Sequence, residues 1–360
     1  MTRIVSLVGH LTTTSIPVEI ATATAALPGI DVTVAPFYDD VAPDDCEVSV
    51  VPLRADSRFD PAAFHRLFRL LSRDDVDILH THDNFIGSVG RVLGTGAGVG
   101  IVNTEHRQHD SFTPLQNAVN APTMGLADRV VVNSNATKQS LLRAERLLLD
   151  PDRIEVVYNG VDLQRLDAAT SAAQNDTEST QLITVGRLVD VKNQALLLRA
   201  FSRVTESIPD ARLCIVGDGP RRDDLEARAE TLGVREQVQF LGEIPREEVY
   251  RRLAESDLFV MPSLSEGFCV AAVEAMAVGL PVVVSDIDVF HEVVGEPGVF
   301  ADPDDPADFA DAIADLLEHP EKRERLGKHA KERARSTFSL ERTAREYYNI
   351  YKGVAEKSNR

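Results

Sequence analysis

A chain of 360 residues with 43% hydrophobic and 26% charged side chains is globular in composition and too long for one ordinary core, so two domains are expected. The net charge of −19 excludes a nucleic-acid binder, which needs a basic surface against phosphates, and no apolar run approaches the roughly 20 residues that span a bilayer. The first residues lack the apolar stretch and cleavage site of a signal peptide, so the chain is expected in the cytoplasm; abundant aspartate, with arginine outnumbering lysine, reads as a surface suited to high salt.

In chain order, six short apolar runs come first, at 3–9, 30–37, 76–82, 100–106, 128–134 and 154–160, separated by helix-compatible stretches such as 16–27 and 60–73. Strands apolar on both faces and separated by helices belong to a parallel, doubly wound sheet. Residues 167–181 have no periodicity and read as a linker. The rhythm then restarts, with strands at 182–188, 211–219, 237–243, 256–263 and 280–286 and helices at 192–206, 220–232, 246–255 and 268–278. The expected fold is α/β, two Rossmann-like doubly wound parallel-sheet domains facing a central cleft, with functional residues just after the carboxyl ends of the strands. The three cysteines, Cys46, Cys214 and Cys269, are far apart and without C-x-x-C spacing, so they read as free, mostly buried thiols.

Several turns after these strands carry chemistry. Arg187 and Lys192 lie between a strand and a helix, where a guanidinium fork and an ammonium suit a diphosphate; the plain alternative is two solvated loop charges. Gly217 and Gly219 allow a tight strand-to-helix turn whose backbone can approach a bound donor closely, but Arg222 stands where a dinucleotide fingerprint needs its third glycine. In "SEGFCVAAVEAMAVGLPVV" a helix is expected to start near Phe268, and its unpaired N–H groups form an anion site. Glu266 and Glu274 flank that start, placed to accept hydrogen bonds from sugar hydroxyls, or else to serve as a helix-terminal charge and a surface residue. His80, His82, His106 and His109 follow strands of the first half; hydrogen bonding to a substrate hydroxyl suits His106 better than a metal site, and no metal is assigned. The segment 58–73 puts Phe64, Leu67, Phe68 and Leu71 on one helical face with Arg66, Arg69 and Arg73 on the rest, a pattern of a sheet-flanking helix and also of a weak membrane contact.

Taken together, "VGRLVDVKN", "LCIVGDGPRRDDLE", "SLSEGFCVAAVEAMAVGLPVVVSD", "ADRVVVNSNATKQSL" and "VVYNGVD" resemble glycosyltransferase family 4, retaining enzymes of GT-B fold. The resemblance implies a domain of 1–166 on the acceptor side, the linker, a donor domain of 182–337, and a last helix in 338–360 that crosses back onto the first domain. It implies that Arg187 and Lys192 bind the donor diphosphate and stabilise the leaving group. Glu274 would hold the ribose and Glu266 the transferred sugar, with backbone N–H groups of Phe268, Cys269 and Val270 near the phosphates and His106 against the sugar. Two departures stand out: the Gly-Gly loop usual after the first strand, whose backbone contacts the donor phosphates, is reduced to Gly9, which the resemblance leaves as the donor contact there, and Cys269 stands where glycine is frequent.

The expected activity is metal-independent transfer of a hexose from a nucleotide-sugar donor to a glycan or lipid-linked saccharide, with no cofactor and no nucleic acid as partner. The expected place is the cytoplasm, at the inner face of the cell membrane. Competing expectations are a nucleotide-sugar epimerase of the same fold and a non-catalytic nucleotide-sugar-binding protein.

Overall fold

The computed structural model describes residues 1–11, 15–39, 47–73, 75–109, 112–171 and 180–358; Cys46 and residues 172–179 of the expected linker lie outside the described residues. The chain forms two compact units, one of residues 1–159 with 340–360, the other of residues 160–339.

The first unit is a seven-stranded sheet of β1 (Thr2–Val8), β2 (Ile30–Pro36), β3 (Ser49–Val50), β4 (Ile78–Thr81), β5 (Gly100–Glu105), β6 (Arg129–Val132) and β7 (Ile154–Val156). All its pairs are parallel and its order is β3-β2-β1-β4-β5-β6-β7. β4 and β5 are buried along their whole length because helices cover both faces, which is why they read as unbroken apolar runs rather than alternating ones. The helix Pro61–Leu71 caps its first turn with Asp60 and buries Ala63, Leu67, Leu70 and Leu71. Phe68, expected on that buried face, is instead 37% exposed, and nearby Phe59 is 64% exposed.

The last helix, Leu340–Ser358, belongs to this unit, where Tyr347, Ile350, Tyr351 and Val354 join Ile4, Val32 and Val102 in one core cluster. Its tyrosines also satisfy a buried histidine: Tyr351 Oη lies 2.8 Å from His80 Nδ1, and Tyr347 Oη lies 3.0 Å from Thr104 Oγ1, itself 2.7 Å from His80 Nε2.

A polar cluster is sealed inside the same unit. Arg91, 0% exposed, donates to the side-chain oxygens of Asn103, Asn120, Ser88 and Thr123. Asn103 and Asn120 donate on to Glu105 Oε1 at 2.9 and 3.3 Å, and Asn120 also to Glu145. The ring of His109 lies 3.0 Å from Glu145 and 3.5 Å from Glu105. Burial alone would neutralise His109, but the two carboxylates outweigh it and hold the imidazole up at about 9; burial alone would likewise raise Glu105, but His109, Arg91 and Asn103 hold it down at about 2. Two cations thus balance two carboxylates.

The second unit is a six-stranded parallel sheet of β8 (Gln181–Val185), β9 (Arg212–Val216), β10 (Val238–Gly242), β11 (Leu258–Met261), β12 (Val282–Ser285) and β13 (Gly298–Ala301), in the order β10-β9-β8-β11-β12-β13. Leu197, Phe201, Leu213, Ile215, Leu258 and Phe309 anchor its core. Residues 160–166 belong here rather than to the first unit, because Val161 pairs with Ser339, its N–H donates to Phe338 O at 2.8 Å, and Arg165 forms a 2.6 Å ion pair with Glu247. The helix Leu163–Thr170 occupies the start of the segment read as linker.

In each sheet the strand order reverses direction beside its first strand, between β1 and β4 and between β8 and β11. Ligands of doubly wound folds bind at such switch points, beyond the carboxyl ends of the strands.

Candidate functional site

At the switch point of the second sheet, β8 leads into the loop carrying Arg187 and Lys192, and β11 into the loop carrying Glu266. The structure brings Lys192 and Glu266 together: the ammonium donates to Glu266 Oε1 at 2.5 Å, and Ser263 Oγ donates to the same oxygen at 2.8 Å. With side chains 19% and 9% exposed, this pair is shielded from solvent and attracts more strongly than a surface pair. A single turn of 3-10 helix, Asp190–Lys192, sets the lysine, and Asn193 follows in the left-handed region with φ 53°, its side chain donating to Pro303 O at 2.9 Å. Leu264 N–H donates to Val191 O at 2.8 Å, tying the two loops by backbone. Arg187 is exposed, and its guanidinium makes no ion pair among the described residues.

Gly217 and Gly219 serve this loop from behind. At φ 122° and 159° their backbones lie so close to the loop that a Cβ at Gly217 would sit 2.2 Å from Gly186 O, and one at Gly219 would sit 2.5 Å from Leu188 O. Hydrogen bonds clamp the contact: Gly186 N–H to Val216 O at 2.9 Å, Leu188 N–H to Asp218 O at 2.9 Å, and Arg221 N–H to Leu188 O at 3.1 Å. The close approach read from the sequence as room for a ligand is thus filled by the loop bearing Arg187. Gly217→Ala is expected to destabilise this unit by roughly 2 kcal/mol or more, through backbone strain and a forced shift of residues 186–188. Urea unfolding checks it, and an unchanged midpoint would remove the clamp as an explanation.

The helix after Glu266 runs Val270–Val278, with Cys269 as N-cap at φ 68° and no side-chain cap, so it begins two residues later than Phe268. Phe268 is buried with its ring edge-on to Phe338, 5.4 Å between centroids. The left-handed backbone at Cys269 is what glycine adopts without cost and a residue with a Cβ adopts only under strain. Burial, then the Glu266 carboxylate, pushes the Cys269 thiol far up, and burial raises Cys214 to about 11, so neither is a ready thiolate.

Glu274 does not join Glu266. It is 2% exposed on the buried side of its helix, with Arg246 Nε 2.8 Å from its Oε1. The same Nε–H donates to Tyr250 Oη at 3.1 Å, so the arginine offers Glu274 charge while its proton is shared with the phenol. Burial raises the pKa of Glu274, with Arg246, Tyr250 and Arg165 pulling it the other way. Arg246 was not legible as the partner of Glu274, although the spacing of Arg246 and Tyr250, four apart on a helix, is a weak sign of a shared face.

In the first unit, Gly9 directly follows β1 and His106 directly follows β5. The Gly9 N–H donates to Asp83 Oδ2 at 2.6 Å, which occupies the amide expected for a donor phosphate. His106 is half-buried, with Nε2 3.1 Å from His82 Nδ1; burial, against the pull of Glu105, lowers its pKa to about 4, so the ring is neutral. Of the four histidines weighed from the sequence, His109 belongs to the sealed polar cluster. Among the described residues no group of three or more His, Cys, Asp or Glu is arranged to hold a metal ion.

Two doubly wound parallel units, one carrying a paired cation and carboxylate at its switch point, have the architecture of the two-unit glycosyltransferases. The family described as Glycosyl transferases group 1 matches residues 168–333, and Glycosyltransferase Family 4 matches 18–165. D-inositol 3-phosphate glycosyltransferase of Corynebacterium glutamicum (strain R) is 30% identical over 310 residues, covering 79% of this chain and 73% of that protein. Its namesake from Mycobacterium sp. (strain KMS) is 32% identical over 296 residues, covering 76% of this chain and 63% of that protein. The crystal structure of HepE from Anabaena in complex with UDP and glucose has a TM-score of 0.85 at 19% identity, over 98% of this chain and 100% of that one. Sucrose-phosphate synthase from Thermosynechococcus elongatus has a TM-score of 0.79 at 21% identity, over 98% and 99%. The chain belongs to glycosyltransferase family 4, with the group 1 unit at its C-terminal side, and is a glycosyltransferase.

Proposed function

We propose that the protein transfers a hexose from a nucleoside diphosphate sugar, with retention of anomeric configuration. The observation that carries this reading is the Lys192–Glu266 pair at the switch point, beside Arg187 and the start of the helix Val270–Val278. Cleavage of the donor leaves a diphosphate whose growing charge Lys192, Arg187 and the helix N-terminus meet without rearrangement. Cations built into the chain make a divalent metal and a cofactor unnecessary, so activity should survive a chelator. Glu266 accepts hydrogen bonds from the sugar, and His106 contacts a substrate hydroxyl. Glu274 takes the ribose by exchanging its contact with Arg246 for hydroxyls. The structural relatives bound to UDP and to UDP-glucose make a uridine diphosphate sugar the first donor to try.

For the acceptor we favour a glycan or lipid-linked saccharide, reached from the cytoplasm at the inner membrane face through Phe59, Phe68, Arg69 and Arg73. Among the described residues no helix is long and apolar enough to cross a membrane. A cyclitol phosphate is a second reading, favoured by the D-inositol 3-phosphate glycosyltransferases among the relatives. An epimerase or a non-catalytic binder would release no free nucleotide in step with a glycosylated product. The deciding experiment measures thermal shifts with UDP, GDP and ADP and their sugars, then transfer to each acceptor class. One nucleotide should stabilise the protein and Glu274→Ala should weaken that shift roughly tenfold in concentration, the worth of one charged hydrogen bond. Absence of any shift sinks the donor site, and an unaltered shift in Glu274→Ala returns Glu274 to a purely internal ion pair.

A further inference from the structure

The paired histidines of the "HTH" segment lie outside the roles assigned so far, yet they connect to His106. Ser6 Oγ on β1 is 3.2 Å from His82 Nε2, and His82 Nδ1 is 3.1 Å from His106 Nε2. Ring packing fixes the chain further: His80 and His82 centroids are 3.9 Å apart, and His82 stacks on His106 at 5.3 Å with 26° between planes. His80 in turn is held at both nitrogens by Thr104 and Tyr351. Burial, and then neighbouring imidazoles, keep His80 and His82 neutral, and burial keeps His106 so, hence each ring carries one N–H.

Only two proton orders satisfy this chain. In one, Ser6 O–H donates to His82 Nε2, His82 Nδ1–H donates to His106 Nε2, and His106 carries its proton on Nδ1. In the other, every proton is reversed, and the Ser6 hydroxyl, 2% exposed and with no further partner among the described residues, is left as an unmatched buried donor. Leaving a donor unmatched in the interior is the costlier arrangement. We infer that Ser6 and His82 are positioning residues that fix His106 as the Nδ1–H tautomer, so that it presents a hydrogen-bond donor, not an acceptor, to an oxygen of the substrate.

The functional half of this inference rests on the proposal that His106 contacts substrate; the tautomer does not. Long-range proton–nitrogen spectra of the histidine-labelled protein should show His106 as a single Nδ1–H tautomer, retained in Ser6→Thr and mixed with Nε2–H in Ser6→Ala. An Nε2–H form in the wild type, or no change in Ser6→Ala, overturns the inference. In turnover, Ser6→Ala should lower kcat roughly tenfold, the worth of one aligned hydrogen bond, with the donor KM little changed and Ser6→Thr restoring the rate. Should His106→Ala keep full turnover while the tautomers behave as described, the substrate contact fails and the relay stands. Should His106→Ala abolish turnover while Ser6→Ala keeps the wild-type rate, the relay has no part in catalysis and the positioning role is refuted.

Discussion

Arg91→Leu is expected to destabilise the first unit by about 3–5 kcal/mol, the cost of breaking a buried ionic cluster from one side. The guanidinium is 0% exposed and is the hub through which Asn103, Asn120, Ser88 and Thr123 are satisfied. Without it, two buried carboxylates face one imidazolium, and the asparagine amides lose the partner that orients them. A loss of that size is a large fraction of a domain's total stability, so urea unfolding followed by circular dichroism should show this unit melting early. Adding Glu145→Gln to Arg91→Leu restores the charge balance and should recover part of the loss. An unaltered midpoint in the single variant, or no recovery in the double, would rule out the cluster as a major support. The same cluster sets a pH dependence. His109 titrates near 9 in the folded unit, above its ordinary 6.5, so its contribution is complete below about 6.5 and is lost as pH rises through 9. Glu105 titrates near 2, below its ordinary 4.5, so its contribution is complete above about 4.5 and is lost as pH falls toward 2. The unit should therefore be most stable between these limits, and His109→Gln should flatten the alkaline side.

This cluster also marks where the sequence stops speaking. The sheets were legible because strands buried on both faces read as continuous apolar runs, and the site loops because they follow those runs. Arg187, Lys192 and Glu266 were singled out that way, through the local rule that chemistry follows a strand's carboxyl end. Arg91, Glu105, Glu145 and His109 look like ordinary polarity in one dimension, since nothing local says that their partners stand up to 36 residues away, as Glu145 does from His109. The partner of Glu274 was hidden for the same reason: Arg246 comes from another helix. β3, of two residues, was too short to carry a pattern, and β13, at the other sheet edge, is only partly buried and so lacks an unbroken apolar run. Gly217 and Gly219 were singled out as places where a ligand approaches the backbone, but what approaches is the chain's own loop, a fact about tertiary distance that a glycine cannot announce. At Gly9, likewise, the amide's use by Asp83 depends on a contact 74 residues away.

Lys192→Ala should lower kcat by about 10²–10³, the usual cost of removing one fixed donor from a site of developing negative charge. The size of the effect follows from how firmly the ammonium is held. Its backbone sits in a one-turn helix ended by a left-handed Asn193, its aliphatic chain passes 3.6 Å from where a Gly186 Cβ would stand, and Glu266 grips its charge at 2.5 Å. In the proposed reaction a lysine so oriented needs little reorganisation when the leaving phosphate gains charge, so that a single cation would act on the transition state rather than on binding alone. Glu266→Gln separates the two halves of the pair. The amide oxygen can still receive Lys192 and Ser263, so the turn should keep its shape, but the carboxylate's pull on the ammonium and its strong acceptance of sugar hydroxyls are both lost. Turnover should fall with little change in nucleotide affinity, and Glu266→Ala should fall further. Single-turnover rates and donor titrations distinguish the outcomes. If Lys192→Ala raised only the donor KM and left kcat intact, the lysine would bind ground and transition states alike, and stabilisation of the departing diphosphate would have to be assigned to Arg187 and the helix N-terminus.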